Sequence, residues 1–152
     1  MTIASAVCNT FKTEVLRAVH NFTASSGNAF KLALYTSSAN LSKSTTAYAT
    51  NPGGGGNTEI TNTSGSAYSA GGIALTSVTP ALSTDTACCD FADVSFTSAS
   101  FTANGCLIYN DTAGGDPAVC SIAFGGDKTV SSGTFTIQFP TADASNAILR
   151  IA

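Results

Sequence analysis

The hydrophobic pattern of the chain changes its period once, near residue 30. Before that point Val7, Phe11, Val15 and Val19 recur at four-residue steps, and Leu16, Ala18 and Phe22 widen the stripe. Lys12, Glu14 and Arg17 fall mostly elsewhere on the wheel. The spacing predicts one amphipathic helix over residues 5–20, with Ser5 or Thr2 as its cap. Such a helix lies across the open face or end of a sheet. A membrane-surface helix would carry more Lys and Arg on its polar side.

From residue 30 onward apolar and polar positions alternate. Phe30, Leu32 and Leu34 interleave with Lys31, Ala33 and Tyr35, and Phe135, Ile137 and Phe139 interleave with Thr134, Thr136 and Gln138. Residues 72–78, 87–96, 101–109, 119–124 and 147–151 also read as strands. About seven closely spaced strands predict a mainly β fold: an antiparallel β-sandwich or flattened, jelly-roll-like barrel with one N-terminal α-helix. Neither an internal repeat nor a boundary divides the chain, so 1–152 reads as one domain, helix about 5–20 and β-domain about 30–152. Leu32, Leu34, Phe135, Ile137 and Phe139 are the expected core.

A long polar stretch, residues 36–71, follows the first strand and exceeds a hairpin loop. It holds Asn51-Pro52 and the run Gly53 to Gly56, with short irregular elements expected around Tyr48 and Ile60. A loop of this size on a rigid scaffold is a natural place for binding, and equally a tolerated surface excursion.

Composition sharpens the picture. Charged residues are only 10% of the chain, against roughly 25% in an average soluble protein. Ser, Thr, Asn and Gly take their place, which suits strands and turns. The net charge is −3, and the six basic residues form no run. Phosphate binding needs clustered Lys and Arg, so a nucleic-acid partner is not expected. No apolar run approaches the roughly 18 to 20 residues of a membrane span, and the first residues lack the pattern of a signal peptide. Synthesis in a cytoplasm, with no membrane partner, is the expectation. The sequons at Asn21, Asn40, Asn62 and Asn110 are then chance matches.

Candidate chemistry is sparse. The glycine run lacks the Lys that a phosphate loop places before Ser or Thr. Asp90 and Asp93, Asp111 and Asp116, and Asp127 beside Gly125-Gly126 read as strand or turn residues, and a calcium site at Asp111 and Asp116 lacks the EF-hand pattern. His20, the single histidine, is expected at the helix end, where an imidazolium favours the dipole. No G-x-S-x-G surrounds a serine. No catalytic, cofactor-binding or metal-binding residue is therefore assigned, no cofactor is expected, and the chain is read as non-enzymatic. The cysteines are Cys8, Cys88, Cys89, Cys106 and Cys120. They read first as small buried hydrophobes, without zinc-site spacing. Cys106 and Cys120 are also a possible disulfide, in two runs that could pair as a hairpin across residues 110–117.

Several segments carry a resemblance. They are the opening helix, FKLALYTSSANL at 30–41, TTAY at 45–48, GSAYSAGGIAL at 65–75, DFADVSFTSASFTANGCLIYND at 90–111, SIAFGGDKTVSSGTFTIQFP at 121–140, and AILRIA at the end. Together they resemble small virion structural proteins of tailed bacteriophages, capsid-decorating or tail-associated. The glycine run and the Cys88-Cys89 pair depart from that pattern. The resemblance implies a capsid decoration (cement) protein on the virion surface. Its expected partners are the major capsid protein and further copies of itself, as a trimer. A tail, neck or fibre-associated role is the alternative. A carbohydrate-binding module is a third reading; it needs an aromatic platform, for which Tyr35, Tyr48, Tyr68 and Tyr109 are available and Trp is absent.

Overall fold

The computed structural model describes residues 2–61 and 68–152. The Asn62 sequon and residues 65–67 of the GSAYSAGGIAL segment lie outside them. The fold is mainly β: two antiparallel sheets and one short helix near the N-terminus, in a sandwich-like arrangement. The elements are β1 (Ala6–Val7), α1 (Asn9–Leu16), β2 (Phe30–Tyr35), β3 (Ile73–Leu75), β4 (Ser77–Ser83), β5 (Thr86–Phe91), β6 (Val94–Asn110), β7 (Ala118–Ile137) and β8 (Leu149–Ile151). A five-stranded sheet has the order β1-β7-β6-β2-β3, and a three-stranded sheet the order β4-β5-β8.

The five-stranded sheet is the middle layer. Its register puts Val7, Leu32, Leu34, Cys106, Ile108, Cys120 and Ile122 on one face. That face meets the small sheet, where the Phe30 and Phe91 rings lie 5.8 Å apart. The opposite face carries Ala33, Tyr35, Gly105, Leu107 and Ser121. The N-terminal segment and the long excursion cover it: Ile3 bridges Leu41, Ser121 Oγ donates to the Ala4 carbonyl at 2.7 Å, and Tyr35 donates to the Ala49 carbonyl at 2.8 Å. Ala33 and Tyr35 are therefore as buried as Leu32 and Leu34. Alternation along β2 predicts one covered face, and the second cover comes from the N-terminal segment and the excursion that follows β2, neither of which the alternation signals.

The helix is shorter than its stripe predicts. Ala6 and Val7 pair with Ser121 and Cys120, which pulls residues 6–7 into extended backbone and moves the N-cap to Cys8. At the other end Ala18 takes φ 59°. The Val19 N–H donates to the Glu14 carbonyl and the Ala18 N–H to the Val15 carbonyl, the paired bonds of a Schellman stop. Phe11 is buried, Val7 and Val15 are half-buried, and Leu16 is 87% exposed.

The strands merge where the sequence suggests breaks. Residues 87–96 split into β5 and the start of β6, and β6 then runs through to Asn110. Residues 119–124 and 134–137 belong to a single β7. Bulges absorb the irregularities: Ser98 has φ 51°, Gly125 and Gly126 have φ 74° and 137°, and residues 124–127 stand opposite Asn104 alone. Because β2 and β1 pair only with the inner halves of β6 and β7, residues 94–103 and 128–137 form a two-stranded arm among the described residues. Val94, Phe96 and Phe101 on the arm are buried. Phe135, Ile137 and Phe139, expected in the core, are half-buried: the first two share a face with the buried Phe96 and Val94, and all three border an open groove.

Candidate functional site

The chemistry-bearing side chains are mostly turned inward. All four tyrosines of the chain gather on the covered outer face and edge of the large sheet, around Glu59. Glu59 is 2% exposed. It sits there because residues 58–60 extend the sheet edge beyond β3: the Ile60 N–H donates to the Leu34 carbonyl and the Thr36 N–H to the Thr58 carbonyl. Its Oε2 accepts from Tyr48 at 2.7 Å, and its Oε1 from Tyr68 at 2.6 Å and from the Gly71 N–H at 2.7 Å. Tyr109 donates to the Gly71 carbonyl at 2.6 Å and stacks on Tyr48, centroids 4.6 Å apart. Burial, followed by the Glu59 carboxylate, pushes the Tyr35 and Tyr48 hydroxyls well above their ordinary value. They remain protonated donors, so the cluster acts as a lock that fastens the excursion to the sheet. The irregular elements expected around Tyr48 and Ile60 are its two halves, at the bridges Ala47↔Pro117 and Tyr35↔Glu59.

The lock turns the four tyrosines inward. Tyr35 and Tyr68 are fully buried, Tyr109 is 2% exposed, and Tyr48 is half-covered by Tyr109.

His20 is displaced from its expected place at a helix end. The helix stops four residues earlier, and His20 is buried among Phe11, Phe22 and Phe30. The Asn110 side-chain Oδ1 accepts from the Thr112 and Ala113 N–H groups, which orients Nδ2 toward His20 Nδ1 at 3.1 Å. Nδ1 is then an acceptor, and Nε2–H donates to Glu14 at 2.9 Å. Asn110 is fully buried, so its sequon is closed in the folded chain, whereas Asn21 and Asn40 are exposed.

The acidic residues serve turns and strand ends. Asp90 accepts from the Phe91 N–H, Asp93 from the Phe139 N–H and Asp127 from Asn104, while Asp111 pairs with Lys31 at 3.1 Å. Asp93 lies in the turn after β5, not on a strand with Asp90. Gly53, Gly54 and Gly55 have positive φ in an exposed turn. Among the described residues no three of His, Cys, Asp and Glu converge as a metal site, and no helix is long and apolar enough to cross a membrane.

The hairpin expected to carry Cys106 and Cys120 is present as β6 and β7, but the pairing is offset. Cys106 stands opposite Ile122 and Cys120 opposite Ile108, and both are buried free thiols. Burial pushes Cys106 up to about 12 and Cys120 well above its ordinary value.

What faces solvent is hydroxyl-rich. Along the arm Ser95 pairs with Thr136 at 2.9 Å, Thr102 with Thr129 at 2.8 Å, and Asn104 with Asp127 at 2.8 Å. Beside this ladder runs an apolar groove of about 590 Å³, bordered by Phe124, Phe135, Ile137, Phe139 and Ile148, with Lys128 at its rim. The sequence pattern assigned Phe135, Ile137 and Phe139 to the core and gave no signal that they border an open surface. Compared with known proteins, the chain matches no protein-family model, no curated sequence and no solved structure.

Proposed function

We propose that this chain is a non-enzymatic decoration protein of a tailed-bacteriophage capsid, binding the outer shell as a trimer and stabilising the particle. The reading starts from the resemblance of its segments to small phage virion proteins. The observation that carries it furthest is the division of labour among side chains. Glu59 and His20 are engaged inside the fold, while the arm presents Ser and Thr pairs beside a half-open apolar groove. A surface poor in Lys and Glu loses little side-chain entropy when it is covered. A trimer engaging three shell subunits at once multiplies weak contacts into firm attachment.

Gel quantification of purified particles tests the assignment: a cement protein is present in hundreds of copies, a tail component in a handful. Particles stripped of the protein should keep their shape and release DNA at lower temperature. If they retain DNA fully and fail to adsorb to cells, a tail role replaces this one.

A further inference from the structure

We propose that the cleft between α1 and the three-stranded sheet is a docking groove for an extended, apolar segment of a partner protein that carries a carboxylate. The inference does not rest on the virion reading. The cleft measures about 900 Å³. Phe11 and Val15 form its helix wall, and Cys89 and Leu149 lie on its sheet side. Leu16 and Ile151, 87% and 64% exposed, stand at its border.

Two features select the occupant. The first is charge. Lys12 and Arg150, two of only six basic residues in a chain of net charge −3, both line the cleft, and no Asp or Glu among the described residues does. Neither cation makes an ion pair among the described residues. Lys12 reaches only Asn9 Oδ1 at 3.4 Å, and Arg150 donates through one nitrogen to the Ala144 and Ser145 carbonyls. The nearby Asp143 carboxylate is held by Asn146 and the Ser145 N–H and also feels the Arg150 charge, which leaves Lys12 as the cation open to an incoming group. A carboxylate entering the cleft therefore meets the Lys12 ammonium, which makes no ion pair among the described residues.

The second feature is the sheet edge. β8 pairs with β5 on one side and ends the small sheet. Its other side offers backbone N–H and C=O groups to an added strand, and Leu149 and Ile151 lie on the cleft face beside it. An extended peptide satisfies both features together: main-chain pairing along β8, alternate apolar side chains against Phe11 and Val15, and an acidic residue near Lys12. With only three residues in β8, each such contact is weak, as suits a partner engaged in several copies.

The chain has no tryptophan, so Leu16→Trp places a single fluorophore at the border of the cleft. The test selects binders from a random decapeptide library on the purified protein, then titrates the enriched peptides into Leu16→Trp. The expected result is a family of alternating apolar residues with at least one Asp or Glu, which blue-shifts the indole emission. Adding the exposed Lys12→Glu substitution should weaken binding about tenfold or more, and circular dichroism should show that variant folded. Three results overturn the proposal: no enriched family, a family without a carboxylate, or affinity indifferent to Lys12→Glu. Decanoate shifting the emission where the peptides do not would reassign the cleft to a lipid-like anion. Self-association abolished by Leu16→Glu would reassign it to contact between copies.

Discussion

The Tyr68 hydroxyl joins two gaps in the sheet edge: it accepts the Leu34 N–H at 3.0 Å and donates to Glu59 Oε1 at 2.6 Å. β3 stops opposite Leu32 and residues 58–60 take over beyond Leu34, so one side-chain oxygen completes a ladder that two backbone segments leave open. Removing that oxygen by Tyr68→Phe leaves a buried N–H unpaired and a buried carboxylate short of a donor. The expected cost is about 1 to 3 kcal/mol. Glu59→Ala, which removes the shared acceptor of Tyr48, Tyr68 and the Gly71 N–H, should cost about 3 kcal/mol or more. Urea midpoints for the two variants check the order, and equal midpoints would contradict it.

The two faces of the fold should respond unequally to truncation. Phe30 is fully buried between Phe22 and Phe91, so Phe30→Ala should cost about 3 to 5 kcal/mol. Phe135 is half-buried at the open groove, and Phe135→Ala should cost about 1 to 2 kcal/mol, since part of the ring is already exposed and less apolar surface is lost from burial. Thermal melts of both variants read the difference.

Ala18 stops the helix in the left-handed region, φ 59°, where glycine carries no Cβ penalty. Ala18→Gly should stabilise the protein by about 0.5 to 1 kcal/mol. Gly72 is the converse. It has φ 87°, and a Cβ there would collide with the Leu32 carbonyl oxygen, so Gly72→Ala should destabilise the protein and loosen β3. Hydrogen exchange at Ile73 and Leu75 reports that loosening.

Burial pushes the Cys8 thiol up to about 11 and the Cys89 and Cys106 thiols up to about 12, from an ordinary value of 9.0. The sign of the pH dependence follows. Below about pH 9 both folded and unfolded thiols keep their protons, and the full stability is present. Above it the unfolded chain loses protons that the folded chain retains, so the unfolded state binds fewer and stability falls as pH rises toward 11 to 12. Each thiol steepens that fall by up to about 1.4 kcal/mol per pH unit. Urea midpoints between pH 7 and pH 11 should be flat at first and then drop, and a flat profile to pH 11 would refute the assignment. Iodoacetamide at pH 8 should leave Cys106 and Cys120 unmodified until denaturant is added.

The sequence by itself determined the local elements. The four-residue recurrence of Val7, Phe11 and Val15 marked the helix, and the alternation in 30–35 and 134–137 marked strands, because backbone geometry imposes those periods on any chain that buries one face. The turn residues between Asn110 and Pro117 located the long hairpin for the same local reason. The tertiary structure decided the rest. Backbone pairing of Ala6 and Val7 with β7 shortened the helix, and bulges at Ser98 and Gly125-Gly126 let interrupted patterns continue as single strands. Residues 36–60 folded back over β2, burying Ala33 and Tyr35 on a face that alternation assigns to solvent. Tyr35, Tyr48, Tyr68 and Tyr109, spread across the sequence, met around one carboxylate, since buried Glu59, with no cation beside it among the described residues, requires donors, and only long-range packing could bring those hydroxyls to it.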